Sequence, residues 1–299
     1  MRGGVLFGIG AYGLWGLFPL YFAELDPAGP LEVLAHRIVW SVLVIVGLLA
    51  VVRRLGAARA TFTDGRALRF LGGAAVLIAI NWGVYVYAVT VDRVLEAALG
   101  YFITPLVSVA FGVLVFKERL RRTQAIALGL GTVAVVILTV YYGGFPWVAL
   151  VLAASFGSYG LLKKLAGVGA AEGLAIETIL LLVPAGAFLA LLGGAGDATF
   201  ASEGVGHALL LAAAGPITAI PLLLFAACVT RVPLTTVGLL QYVTPVLQFL
   251  IGWLVAGEAL PLSRWIGFGL VWAALVVLTW DGLRASGRRR AASPVAELV

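Results

Sequence analysis

The sequence predicts an all-α integral membrane protein of ten transmembrane helices, built as two inverted five-helix repeats with both termini cytoplasmic. Three observations predict it: the apolar composition, the one-sided placement of basic residues, and a repeat at a fixed offset. Hydrophobic residues make up 62% of the 299 and charged residues 11%, with a mean hydropathy of +1.09. Soluble domains run near 45–50% apolar with about a quarter charged. The remainder of the chain is mostly short connections between apolar runs.

A span needs roughly 20 apolar residues to cross about 30 Å of hydrocarbon. The first run, 3–23, follows Met1-Arg2 and is longer than the roughly 7–15 residues of a signal-peptide core, so it reads as a retained helix. The second, 31–52, lies between Gly29-Pro30 and Arg53-Arg54. The third, 70–90, follows Arg66 and Arg69. The fourth, 94–116, lies between Arg93 and Lys117, and the fifth, 123–142, follows Arg121-Arg122. The sixth, 146–162, is short and stops at Lys163-Lys164. The seventh and eighth cover 172–192 and 207–230, the latter stopping at Arg231. The ninth is 234–256 and the tenth, 264–281, begins at Arg264. The tail 282–299, with Arg284 and Arg288-Arg289-Arg290, is basic and reads as disordered.

Ten spans place all but three of the 20 Lys and Arg residues on the N-terminal side of the membrane; the exceptions are Arg37, Arg93 and Arg264. Positive charge accumulates on the cytoplasmic side, so both termini belong there, and removing one span would destroy the asymmetry. The same asymmetry accounts for the net charge of +6 without a nucleic-acid partner.

Sliding the chain by 140 residues aligns 98–139 with 238–279 without a gap. Thr104-Pro105 falls on Thr244-Pro245, Gly112 on Gly252, Glu118-x-Leu120 on Glu258-x-Leu260, and Gly129 on Gly269. The offset also pairs Glu32 with Glu172, and an offset of 144 pairs Tyr12 with Phe156 and Trp15 with Tyr159. Residues 1–142 and 146–281 are therefore the two repeats. An odd number of helices per repeat inverts the second relative to the first.

These residues carry a family resemblance. Glu-x-Leu after the fourth and ninth spans, each leading into a Gly-rich helix, resembles the EamA-type repeat of the drug/metabolite transporter superfamily. Tyr12-x-x-Trp15-Gly16-x-x-Pro19, Glu32-x-x-x-His36-Arg37-x-x-Trp40-Ser41, Leu99-Gly100-Tyr101-Phe102 and Leu239-Leu240-Gln241-Tyr242 resemble the RarD-like permeases within it. The resemblance covers residues 3–281. It implies a multi-pass permease of the bacterial plasma membrane, with inverted halves around a substrate cavity, and it names no solute.

Ionisable groups inside a span are costly and tend to face cavities. Arg37 lies about 9 Å inside its helix at 1.5 Å per residue, where it either lines a pathway or snorkels to the interface. His36 beside it is either a packing residue or a group that titrates near neutral pH. Glu177 is the repeat counterpart of Arg37, so the two are expected at similar depths from opposite faces, with Glu177 either a proton carrier at a central site or a buried structural carboxylate. Pro105 and Pro245 each remove a backbone donor, so a kink is expected at both. Tyr12, Trp15, Asn81, Trp82, Tyr85, Tyr101, Tyr159, Gln241 and Tyr242 complete the expected pathway, since buried Tyr and Trp need polar partners that a wet cavity supplies. One arginine among aromatics suits an amphipathic or anionic metabolite. Gly129-x-Gly131 and Gly267-x-Gly269 in the fifth and tenth spans read as packing or homodimer faces.

The one cysteine, Cys228, excludes an intrachain disulfide, and two histidines are too few for a His/Cys metal cluster. Gly8-x-Gly10-x-x-Gly13 matches a dinucleotide pattern but lies inside a span, and no Lys precedes Ser or Thr, so neither a nucleotide fingerprint nor a P-loop is present. No cofactor is expected. The function expected is secondary transport of a small metabolite or drug-like solute by alternating access. The alternatives are a membrane-embedded sensor or scaffold, which here would lack a soluble signalling domain, and an intramembrane transferase, which the single, scattered aspartates disfavour. The partners expected are the solute and the lipid bilayer.

Overall fold

Long apolar runs have only one way to satisfy their backbone in lipid as single segments, and every regular element among the described residues is helical. The computed structural model describes residues 2–91, 93–142 and 145–254, together with 265, 266, 269, 270, 272, 273, 276 and 277. The expected first span is α1 (Arg2–Gly16) and α2 (Phe18–Phe22), followed by a turn of 3-10 helix. The second is α3 (Pro30–Val51), the third α5 (Gly65–Thr90), the fourth α6 (Val94–Leu114) and the fifth α7 (Arg122–Tyr142). The sixth is α8 (Trp147–Ala166), the seventh α9 (Ala170–Ala195) and the eighth α10 (Gly204–Val229). The ninth is α11 (Leu234–Leu240) and α12 (Val243–Leu254). Six of these stretches are long and apolar enough to cross a membrane, and shorter apolar helices accompany them. The protein is thus a multi-pass membrane protein, all-helical in its regular elements among the described residues. Most of the expected tenth span, Gly267, Glu258-x-Leu260 and the tail 282–299 lie outside the described residues.

Several boundaries differ from the hydropathy reading, each for a local reason. A short helix, α4 (Leu55–Thr63), occupies the second connection; none of its residues is buried, so it leaves no apolar stripe to detect. Helix α5 starts at 65 because the Asp64 carboxylate accepts the Arg66 and Ala67 amides at 2.8 and 3.2 Å, an N-cap. Helix α8 runs past Lys163 and Lys164 because both ammonium groups find acceptors, and it ends where Gly167 turns left-handed at φ 65°. The first and ninth spans are interrupted, at Leu17 and at Gln241-Tyr242. Pro19 and Pro245 cannot donate to the carbonyls of Trp15 and Gln241, and three-residue bonds such as Leu17 N–H to Leu14 O (3.0 Å) and Thr244 N–H to Gln241 O (3.3 Å) bridge the gaps. The matched Pro105 leaves α6 continuous.

Burial is inverted relative to a soluble protein. Val51, Val140, Val183, Leu191 and Val205 point outward, while Glu32, Glu96, Lys163, Glu172 and Glu177 are buried. The helices of the two expected repeats interleave. Extensive contacts join α6 to α8, α5 to α8, α3 to α10, α3 to α9, α1 to α10 and α6 to α11, and smaller ones join α1 to α12 and α5 to α9. Gly131 packs against the Tyr242 ring, whereas Gly129 and Gly269 face open space.

Close approach at α3–α10 depends on one glycine. A methyl placed on Gly215 would lie 2.5 Å from Trp40 Cβ and 2.6 Å from its carbonyl carbon, and the Ser41 hydroxyl donates to the Gly215 carbonyl at 3.2 Å. Backbone cannot rotate out of the way. Gly215→Ala is therefore expected to lower stability by about 1–3 kcal/mol, read as a reduced midpoint in thermal unfolding of the purified protein. An unchanged midpoint would mean the two helices are less closely packed than described.

Candidate functional site

Arg37 sits in the N-terminal half of α3. Its Nε donates to the Thr218 hydroxyl of α10 at 2.9 Å. Its guanidinium carbon lies 4.9 Å from the Trp82 ring centroid, 5.4 Å from Phe22 and 5.7 Å from Phe18, within range of cation–π attraction. Arg37 faces a cavity of about 260 Å³, walled by residues of α1, α2, α3, α5, α6, α8, α10, the turn between α11 and α12, and α12. Of the residues expected in the pathway, Tyr12, Trp15, Arg37, Asn81, Trp82, Tyr85, Tyr101 and Gln241 line it, as does Pro245. The wall residues of α3, α5 and α6 lie toward the helix ends remote from the basic loops.

Local bonds fix the wall. Asn81 donates its amide nitrogen to the Leu152 carbonyl and the Ser155 hydroxyl, both at 3.0 Å, tying α5 to α8. Gln241, in the break between α11 and α12, accepts from Ser108 of α6 at 3.2 Å. Thr244 donates to the Tyr12 carbonyl at 2.8 Å, and Thr104 to its own helix at Gly100. The Tyr12 hydroxyl, beside Gln241, is buried without a partner of hydrogen-bonding geometry among the described residues.

His36, Tyr159, Glu177 and Tyr242 are not part of this wall. His36 accepts the Trp40 indole N–H at 3.2 Å through Nδ1 and stacks on Phe200 at 4.8 Å. Tyr242 belongs to the core beneath α7. Glu177 pairs with Lys163 of α8, Oε1 to Nζ 2.8 Å, and accepts the Tyr159 hydroxyl at 3.0 Å. Between that pair and the cavity stands an aromatic cluster. Tyr159 stacks on Phe225 at 5.6 Å, and Phe225 touches Trp15, Phe156 and Tyr12. Glu177 is thus the partner of Lys163 rather than of Arg37, one aromatic layer away from the cavity.

Phe18, Phe22, Ile78, Thr104, Phe156, Leu222 and Thr244 also line the cavity and were absent from the expected set. The repeat itself held the missing signal. Phe156 is the counterpart of Tyr12, Leu222 of Trp82, and Thr104 and Thr244 of each other. Phe18 and Phe22 extend the helical stripe begun by Tyr12 and Trp15.

A second cluster joins helix ends at the basic loops. The Glu118 carboxylate, on the loop after α6, accepts the Leu234 and Thr235 amides at 2.8 Å each, capping α11 across the chain. Lys164 approaches it at 3.5 Å and donates to the Val232 carbonyl at 2.6 Å. Burial raises the Glu118 carboxyl, but the Thr235 and Leu234 amides and the Lys164 ammonium outweigh it and hold the group below its ordinary value. A depressed carboxyl stabilises the fold fully above its unfolded value, and that contribution fades as pH falls through the folded value. Glu118→Ala is expected to cost about 1–3 kcal/mol at neutral pH. The difference from wild type in melting temperature should close on acidification below the carboxylate range; a difference that grows in acid would contradict the cap.

Two buried carboxylates 140 residues apart in the sequence act as pins. Glu32 of α3 accepts the Thr199 and Phe200 amides at 2.7 and 3.3 Å, reaching the α9–α10 connection. Glu172 of α9 meets Arg54 at 2.8 Å, reaching the α3–α4 connection.

Residues 2–140 match the model of the EamA-like transporter family. Protein RarD of Streptomyces exfoliatus is 54% identical over 290 residues, covering 97% of this chain and 92% of the relative. The uncharacterized transporter YojE of Bacillus subtilis is 41% identical, covering 94% and 95%. Protein RarD of Escherichia coli K12 is 36% identical, covering 96% and 97%. A crystal structure of a protein 20% identical superposes with a TM-score of 0.69 over 93% of this chain and 97% of that one, a likeness of fold.

Proposed function

This chain belongs to the RarD-like permeases of the EamA-type transporter superfamily, and from that premise we propose that it carries a small solute across the bacterial plasma membrane by alternating access through the cavity at Arg37. The observation that carries the proposal is the cavity's composition: helices of both repeats wall it, and counterpart residues (Tyr12 and Phe156, Trp82 and Leu222, Tyr101 and Gln241, Thr104 and Thr244) face one space. Sites at a repeat interface are where inverted-repeat transporters bind.

The pattern of helix neighbours supports the inverted repeat. Exchanging the first five spans for the second five carries the α5–α8 contact onto α10–α1, α6–α8 onto α12–α1, and α3–α10 onto α9–α5. The α3–α9 and α6–α11 contacts return to themselves. The Glu32 and Glu172 pins exchange likewise. Because the repeats interleave, the moving bodies are mixed: α1 with α10 and α11–α12 against α5 with α6 and α8. With the termini cytoplasmic, the cavity occupies the extracytoplasmic half. The cytoplasmic half is closed by the Tyr159–Phe225–Phe156 layer, the Lys163–Glu177 pair and the Glu118 cap.

The test is flux. Purified protein in sealed proteoliposomes is expected to take up solutes that stabilise it thermally, saturably and faster than protein-free vesicles. Solutes that bind and stabilise but never cross would support the sensor or scaffold reading instead.

A further inference from the structure

We propose that the solute is a monoanion with a planar apolar ring and no ammonium group, an arylalkanoate being the simplest case, gripped by the terminal nitrogens of Arg37. The inference rests on the transport reading of the cavity and deepens it.

The valence of the guanidinium comes first. It carries five N–H donors and no acceptor. The Nε–H is spent on Thr218, and the rings of Trp82, Phe22 and Phe18 crowd the cation. The terminal nitrogens make no hydrogen bond to any described residue, so the forked edge stays available. That edge matches the two oxygens of a carboxylate. Thr218 is a positioning residue, since it holds the plane from the opposite side.

Charge balance comes second. Among the residues walling the cavity there is no Asp, Glu or Lys. The nearby carboxylates are engaged elsewhere: Glu177 by Lys163 and Tyr159, and Glu32 by Thr199 and Phe200. A half-buried cation whose cavity wall holds no counter-charge is under-compensated, and one negative charge in the solute completes it. A second negative charge would lack a partner, and so would the ammonium of an amino acid. The polar wall agrees: the Tyr85 and Tyr101 side chains lie close enough to Arg37 to feel its charge, while the Asn81 amide nitrogen is committed to α8.

Shape comes third. Trp15, Phe156 and Leu222 form the apolar part of the wall, and about 260 Å³ lies below the roughly 300–1,000 Å³ of pockets for drug-sized ligands. A single ring with one carboxylate fits the volume and the chemistry.

Three near-isosteres decide it: 3-phenylpropanoate, 3-phenylpropanamide and phenylalanine, titrated calorimetrically into the purified full chain. The carboxylate is expected to bind at least about tenfold more tightly than either other probe, the margin of a charge-assisted over a neutral hydrogen bond. Arg37→Gln should erase that preference, and Arg37→Lys, which keeps the charge without the fork, should retain part of it. The wild-type series alone suffices should the variants fail to fold. Equal binding of acid and amide, tighter binding of phenylalanine, or equal affinity for acetate and 3-phenylpropanoate would overturn the proposal. Acid preference in binding without flux in proteoliposomes would sink the transport reading and leave the anion site standing. Flux without acid preference would do the reverse.

Discussion

Lys163→Ala is expected to destabilise the protein by about 3–5 kcal/mol, because it strands the Glu177 carboxylate inside the bundle. Both side chains are nearly sealed, at 4% and 2% exposure, and the contact is 2.8 Å. The residual partner, the Tyr159 hydroxyl at 3.0 Å, supplies one neutral hydrogen bond where a full charge was compensated. Removing both charges together is a different matter, since well-packed neutral groups often replace a buried pair at little cost. Lys163→Met combined with Glu177→Gln keeps an acceptor for Tyr159 and should recover most of the loss. Thermal unfolding of the single and double variants measures this directly. A single variant as stable as wild type would mean that the pair is open to water.

Ile78→Trp is expected to cut flux by more than about tenfold while leaving the fold largely intact. Ile78 lines the cavity on the same face of α5 as Asn81, Trp82 and Tyr85 and is also buried in the core with Tyr12 and Phe225, so an indole there fills cavity volume at the expense of some overpacking. Overpacking a filled core costs about 1–3 kcal/mol, and a void absorbs part of that strain. Uptake in proteoliposomes and the melting temperature should therefore separate. Loss of both would indicate a site already packed; loss of neither would place the route elsewhere.

Much of the fold was legible because lipid leaves few choices. Apolar length located the described apolar helices to within a few residues, and the corrections at Asp64, Gly167 and Pro19 trace to signals visible in the sequence. Helix α4 was hidden, having no buried face. The prolines matched in sequence differ in structure: Pro245 follows a break and Pro105 lies in continuous helix, since the fate of a missing hydrogen bond depends on neighbours that hydropathy does not describe.

The site divides the same way. The 140-residue offset pairs Arg37 with Glu177 in sequence but says nothing of their azimuth, and packing turned Arg37 into the cavity and Glu177 toward Lys163 of α8. The apolar run of the sixth span stops at Lys163, whose burial follows from its pairing with Glu177 of α9, which no local pattern encodes. Phe156 and Leu222, by contrast, could have been found by applying the repeat to Tyr12 and Trp82.

Access to the cavity from both faces is the point on which the transport account stands, and single cysteines measure it. Cys228, the one cysteine, is buried, so Cys228→Ser provides a background for Asn81→Cys or Gln241→Cys in sealed vesicles of either orientation, probed with a charged, impermeant thiol reagent. The account predicts labelling from the extracytoplasmic face at rest and a gain of labelling from the cytoplasmic face when solute is supplied. Labelling confined to one face under every condition would contradict it.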